Sequence, residues 1–176
     1  LHRSLEATVG WSWGLLDPVE RRAFAALGVF DGPFTVAAAV DVFADVDDAV
    51  DALALLERLV AASLVVRVAG TATRYRLLET LRAYAVDRLD DAGERAEVER
   101  RHDDHYVERC RSLADEFLGR ERVSATEAIG AELADHLTTW RRAIEHDAAD
   151  ALALAWPLGN YWMFERRLAE GETELR

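Results

Sequence analysis

A single change of period constrains this chain more than any other feature. Its apolar residues recur almost everywhere at helical spacing, but Leu64-Val65-Val66-Arg67-Val68 and Arg74-Tyr75-Arg76-Leu77-Leu78 are β-branched or aromatic runs flanking Ala69-Gly70-Thr71-Ala72. Two short extended runs about a small-residue turn predict a β-hairpin. The fold class is therefore expected to be mainly α with one small β element.

The residues before the hairpin supply the helices. Leu5, Val9, Trp13 and Leu16 recur at helical spacing, although Gly10 and Gly14 weaken that segment. In Leu16-Asp17-Pro18-Val19-Glu20, Asp17 can cap, Pro18 takes the first helical position and Glu20 completes a capping box, so a helix should run from Pro18 to about Leu27. After the turn Asp31-Gly32-Pro33, Thr35 is placed to cap a short helix reaching Phe43. Asp47 should cap a longer one that carries Val50, Leu53, Leu56, Leu59 and Val60 toward a core and ends near Ser63. Three short helices followed by a hairpin is the order of a winged helix-turn-helix, expected over residues 1–92.

Residues 93–176 read as wholly helical, and the helix that closes the first part leads into them. Leu81, Tyr84, Ala85 and Leu89 share one face of a helix from Thr80 to Leu89, with Gly93 ending the run. Val98, His102, His105, Cys110, Leu113 and Phe117 stripe a long helix from Glu94 to Leu118. Ile129, Leu133, Leu137, Trp140 and Ile144 give a regular period, Asp147 to Asp150 read as a connection, and the last helix starts near Ala151. That last helix holds Leu152, Leu154, Trp156, Leu158, Tyr161, Trp162 and Phe164, which is too apolar all round for a helix with one wet side. Trp156, Trp162 and Phe164 are the expected packing residues for a partner, either a following helical repeat or a second copy of the chain. Leu158-Gly159 followed by Trp162 partially echoes the tetratricopeptide signature, which makes this end tetratricopeptide-like.

Composition narrows the chemistry. Among 176 residues, 33 are acidic and 21 basic, a net charge of −12 that repels phosphate and argues against nonspecific binding to nucleic acid or anionic membranes. Every basic residue is arginine. Without lysine there can be no phosphate-binding loop ending in Gly-Lys-Ser/Thr and no Schiff base within these residues. No long uncharged apolar run suggests a membrane span, and nothing at Leu1 resembles a signal peptide, so a cytoplasmic location is expected. The single cysteine, Cys110, excludes an intramolecular disulfide and fits a reducing compartment. The chain starts without methionine and reads as a piece of a longer protein.

No catalytic constellation emerges. His102 and His105 stand three apart on one helix, but no third ligand is placed for a metal, and amphipathic packing accounts for both. Asp45, Asp47, Asp48 and Asp51 lack the glycine and the distant glutamate of a calcium loop. The serines sit in no nucleophile-elbow context, and Cys110 lies on an apolar stripe. No catalytic residue and no metal site are therefore expected. DNA binding is the alternative function, but the third helix carries Asp47, Asp48, Asp51 and Glu57 against Arg58 alone, where a groove reader needs arginine, lysine, asparagine or glutamine. The wing does hold Arg67, Arg74 and Arg76.

The order and spacing of these motifs resemble the winged-helix and helical region that follows the nucleotide-binding module in bacterial STAND (NB-ARC-like) regulatory ATPases, including LuxR- and SARP-type multidomain regulators. The stretches that carry the resemblance are Leu1-His2-Arg3-Ser4-Leu5 with Trp11-Ser12, Leu27-Gly28-Val29-Phe30-Asp31-Gly32-Pro33-Phe34-Thr35, Ser63-Leu64-Val65, and Arg74 through Ala85. Arg100-Arg101-His102 with His105-Tyr106, and Tyr161-Trp162 with Glu170-Gly171, continue it.

The resemblance implies a signal-transducing transcriptional regulator in which the winged helix clamps the nucleotide-binding domain of the same chain around ADP. It places ATP or ADP in that missing domain, with no cofactor in the present residues. Following helical repeats would sense a ligand or partner, and another domain would bind DNA. In eukaryotic relatives a Met-His-Asp triplet after the wing senses phosphate, and Leu77-Leu78-Glu79 stands there in this chain. Leu78 cannot donate to phosphate, so the expected nucleotide or interdomain contacts shift to Arg74, Arg76 and Glu79.

Overall fold

A computed structural model describes residues 13–43, 49–70 and 72–165. It is mainly α-helical with one two-stranded antiparallel hairpin, as the change of period predicts. The chain divides into two compact units, Leu1–His102 and Asp103–Arg176. Of the first expected helix only residues 13–15 are described, and they are helical. Leu5, Val9 and Gly10, and the resemblance stretches Leu1-His2-Arg3-Ser4-Leu5, Trp11-Ser12 and Glu170-Gly171, lie outside the described residues.

In the first unit, α1 (Pro18–Ala26) starts as expected. The Asp17 carboxylate accepts the Glu20 N–H at 2.8 Å and the Glu20 carboxylate accepts the Asp17 N–H at 2.9 Å, so two orphan donors are satisfied reciprocally. A 3-10 turn (Leu27–Val29) follows. In that turn Gly28 lies against the helix after the wing, where an added Cβ would meet the Val86 nitrogen at 2.9 Å. Only glycine allows that approach. Helix α2 (Val36–Val42) is capped by the Thr35 hydroxyl, which accepts the Ala38 N–H at 3.1 Å.

Helix α3 (Ala49–Ala61) buries Leu56 and Leu59 as its pattern predicts, but its buried face is rotated away from Val50 and Leu53. Ala52, Leu55, Leu56 and Leu59 face inward, whereas Val50 is 72% and Leu53 41% exposed. Both stripes have helical spacing, but the Val50 stripe contains Glu57, and the all-apolar one takes the core. Asp47, its expected cap, lies outside the described residues. The helix ends at Ser63, whose φ of 60° places a non-glycine residue in the left-handed region while Leu64 N–H closes on the Leu59 carbonyl at 3.0 Å.

The strands are shorter than the two runs suggest. Strand β1 (Val66–Val68) pairs with β2 (Arg74–Arg76) in the register Val66↔Arg76, Arg67↔Tyr75, Val68↔Arg74. Phe34 adds an antiparallel bridge to Tyr75, with N–H to carbonyl distances of 2.8 and 2.9 Å. Helix α4 (Glu79–Ala92) buries Leu81, Ala85 and Leu89 and ends at Gly93, φ 70°, where the Glu94 N–H bonds the Leu89 carbonyl at 3.1 Å. The core gathers Phe24, Leu27, Phe30, Phe34, Leu55, Leu59 and Tyr75, with the Phe30 and Phe34 rings stacked at 4.2 Å.

Helix α5 (Arg95–Leu118) begins in the first unit and ends in the second. Its buried stripe runs through Val98, His102, Tyr106, Cys110, Leu113 and Phe117. Tyr106 is fully buried where the pattern had suggested His105, which is half-buried. In the second unit, α6 (Arg122–Ala131), α7 (Leu133–His146) and α8 (Ala148–Phe164) complete the chain as described. Helix α7 corrects the pattern most. It buries Asp135, His136, Thr139, Trp140 and Ala143, while Leu133 and Leu137 are half-buried and Ile144 is exposed. The expected connection shrinks to Asp147, whose carboxylate caps α8 by accepting from Ala149 and Asp150 N–H.

Candidate functional site

The features with functional potential meet where α3 faces the wing. Tyr75, central in β2, points inward and is 1% exposed. Alternation along the strand then sends Arg74 and Arg76 to the opposite face and puts Arg67 of β1 on the Tyr75 side. Arg67 meets Glu57 of α3 in a two-pronged contact: its Nε donates to Oε1 at 3.1 Å and its Nη2 to Oε2. The Tyr75 hydroxyl donates to the same Oε1 at 2.8 Å. Hydrogen bonds from Arg67 and Tyr75 hold the Glu57 carboxyl below its ordinary value, and burial, reinforced by Glu57, pushes the Tyr75 hydroxyl up.

The other cation of α3 is also engaged. Arg58 Nε donates to Glu20 of α1 at 2.8 Å. The outward side of α3 is then left with exposed Val50, Asp51, Leu53, Ala54 and Ala61. Among the described residues this surface is otherwise apolar and acidic, and its side chain of the kind that reads base edges, Arg58, is held by Glu20.

The structure places Arg74 and Arg76 on one face of the wing, Arg74 half-buried and Arg76 exposed. Glu79 opens α4 with an 83% exposed side chain and lies 3.5 Å from Arg82, which also bonds Asp31 at 2.9 Å. Leu78 precedes α4 without a side-chain cap bond.

Outside the wing, His102 is buried with its ring 5.2 Å from Phe30. Among the described residues no group of three or more histidines, cysteines or carboxylates could hold a metal ion. Cys110 is buried 3.4 Å from His136 Nδ1, and burial pushes its thiol up to about 12, so it is protonated at neutral pH. A groove of about 150 Å³ in the first unit is floored by Val19, Val42, Phe43 and Leu55, and its arginines, Arg22 and Arg101, lie 3.9 Å from Glu94 and 3.0 Å from Glu97. Of the expected packing aromatics, Trp156 and Phe164 are 41% and 39% exposed, whereas Trp162 is 3% exposed and belongs to the second unit's own core. Sequence reasoning missed Glu57 and Tyr75 as partners of Arg67. The available signal was a carboxylate interrupting an apolar stripe of α3 beside an inward-facing tyrosine of the wing.

No helix among the described residues is long and apolar enough to cross a membrane. No family model matches the chain, and no solved structure matches it significantly. It is 37% identical over 174 residues to proteins of Mycobacterium bovis and of two strains of Mycobacterium tuberculosis, each named as a candidate HTH-type transcriptional regulator. The match covers 96% of this chain and 19% of the length of those relatives. The chain is thus similar, along nearly all of its length, to one segment of much longer proteins that carry the name of transcriptional regulators.

Proposed function

We propose that this chain is a non-catalytic, winged-helix regulatory module of a longer transcriptional regulator, and that its winged helix docks on protein rather than reading DNA. The observation that carries the reading is the outward side of α3, where Val50 and Leu53 stand exposed beside Asp51 and both nearby guanidinium groups are bound to carboxylates. A major-groove reader presents uncommitted donors there, because phosphates repel carboxylates and base edges need hydrogen-bonding partners. Similarity to much longer relatives named as regulators supports the wider reading.

In its finer form the proposal follows the resemblance. The docking surface is the nucleotide-binding domain of the same polypeptide, ATP or ADP binds in that domain, and Arg74, Arg76 and Glu79 touch the nucleotide or its domain. The second unit leads toward ligand-sensing, tetratricopeptide-like repeats, another domain binds DNA, and the whole works in the cytoplasm. The support for this form is the order of the motifs.

DNA binding by the winged helix is the second reading. The helix-turn-helix in the relatives' names favours it, and does so more than it favours a nucleotide switch. Fluorescence anisotropy of a labelled random duplex titrated with the chain separates the two. The docking reading expects no saturable binding tighter than about 100 µM at roughly 150 mM salt. Tighter binding that weakens steeply with salt and is lost in an Arg74→Ala, Arg76→Ala variant would establish the second reading instead.

A further inference from the structure

One face of α1 and the start of α5 carry the same pattern. Val19, Arg22, Ala23 and Ala26 share a face of α1 at helical spacing, and Glu94, Glu97, Val98 and Arg101 share a face at and after the start of α5. Each face sets charged groups beside a short apolar strip. The two line a common groove of about 150 Å³ in the first unit, closed at the bottom by Val42 and Phe43 from the end of α2 and by Leu55 of α3. The space exists because α1 offers alanine at two positions: Ala23 and Ala26 are buried, yet too small to fill what lies in front of them.

Size and charge together define an occupant. An apolar cavity of about 150 Å³ holds a benzene-sized molecule, so the groove takes a branched or aromatic side chain of about four to seven carbons, not a drug-sized ligand. Its buried lining offers such a side chain only apolar contact. The rim offers both signs of charge. Arg22 stands 3.9 Å from Glu94, beyond hydrogen-bonding distance, and Arg101 meets Glu97 through Nε at 3.0 Å. Among the described residues the terminal nitrogens of Arg101, the pair that grips a carboxylate, carry no other bond. A plain carboxylic acid would bring its charge against Glu94 and Glu97, and a plain amine against Arg22 and Arg101. A molecule with both charges gives every ionised group at the rim an opposite partner.

We infer that the groove between α1 and the start of α5 binds a free α-amino acid with an apolar side chain. The side chain inserts toward Leu55, the carboxylate lies on the arginines and the ammonium on the glutamates. The site uses neither Glu57 nor the wing, so the inference stands whatever the winged helix docks on. Few atoms are buried in an open groove, and the affinity is modest, with a Kd of about 0.1–1 mM.

Titration of the 176-residue chain with L-leucine and with L-phenylalanine, followed by amide NMR shifts and calorimetry, tests this. At least one should bind saturably in that range and move the amide resonances of Ala23, Ala26 and Val98 together. Glycine, with no side chain to insert, should not bind. N-acetyl-leucine and leucinamide, each lacking one charge, should bind at least about tenfold more weakly. Ala23→Leu, which fills the groove, should lose binding. Arg101→Met keeps the stem at the rim and removes the charge, so it reports even if Ala23→Leu does not fold; it should weaken binding at least about tenfold with an unchanged far-ultraviolet circular dichroism spectrum. No saturable binding of either amino acid up to about 20 mM would overturn the inference. N-acetyl-leucine binding as tightly as leucine would also overturn it, and assign the groove to an apolar side chain of another protein. Undiminished binding by Arg101→Met would overturn it as well.

Discussion

The first unit closes around Phe24, Phe30, Phe34 and Tyr75 and leaves its charged groups to pair nearer the surface, whereas the second sets Asp135, His136 and Thr139 on the buried side of α7. In the second unit Asp103 accepts from the Thr139 hydroxyl at 2.9 Å and from Arg142 Nη2 at 2.6 Å, and His136 sits against Cys110 and the Tyr106 ring. An apolar interior depends on volume and a polar one on matched donors and acceptors, so the two units should fail differently.

The largest effect belongs to volume in the first unit. Phe24, fully buried, contacts Trp13 edge-on and Tyr84 at a tilt, with centroids at 5.9 and 6.5 Å. Phe24→Ala should cost about 3–5 kcal/mol in chemical denaturation, and a loss below about 1 kcal/mol would break the distinction. Next comes Thr139→Val, which keeps volume and removes one hydrogen bond. It should cost about 1–2 kcal/mol, because the Asp103 carboxylate keeps its Arg142 partner. No loss would mean that the polar side of α7 is tolerated rather than specified.

Smaller effects sharpen the account of the first unit. Ser63→Gly should stabilise by about 0.5–1 kcal/mol, since glycine adopts φ 60° without strain, readable as a rise in the denaturant midpoint. The smallest concerns pH. Glu97 is held down to about 2, chiefly by hydrogen bonding to Arg100 and further by Arg101. A carboxyl lowered on folding contributes stability above its unfolded value, and that contribution is lost as pH falls from about 4.5 toward 2. The melting temperatures of the wild type and Glu97→Gln should therefore differ slightly at neutral pH and converge by pH 2.

Local chemistry made much of the fold legible. The Asp17–Glu20 capping box, the Thr35 cap, the Gly93 terminus and the β-branched runs each have a short-range cause, and each stands where expected. Faces were harder to read. In α3 two stripes compete, and the choice depends on Glu57 finding Arg67 and Tyr75 across the fold. In α7 Ile144 is exposed and Leu133 and Leu137 are only half-buried, because Thr139 and His136 have partners on α5, a tertiary match that no periodicity contains. The wing arginines were legible as a group, but which of them is bound was not. Arg67 pairs with Glu57 because strand alternation puts it on the Tyr75 side, and the same alternation turns Arg74 and Arg76 away.

The central claim is that the carboxylate of α3 and the nearest wing arginine are committed to each other, which removes both from contact with DNA. A carbon-13 NMR titration of the Glu57 carboxyl measures this directly. The account predicts a midpoint below the ordinary 4.5 that moves back toward it in Arg67→Ala. A Glu57 that titrates at its ordinary value in the wild type, and is unmoved by Arg67→Ala, would contradict the account and return Arg67 to the set of groups available for phosphate.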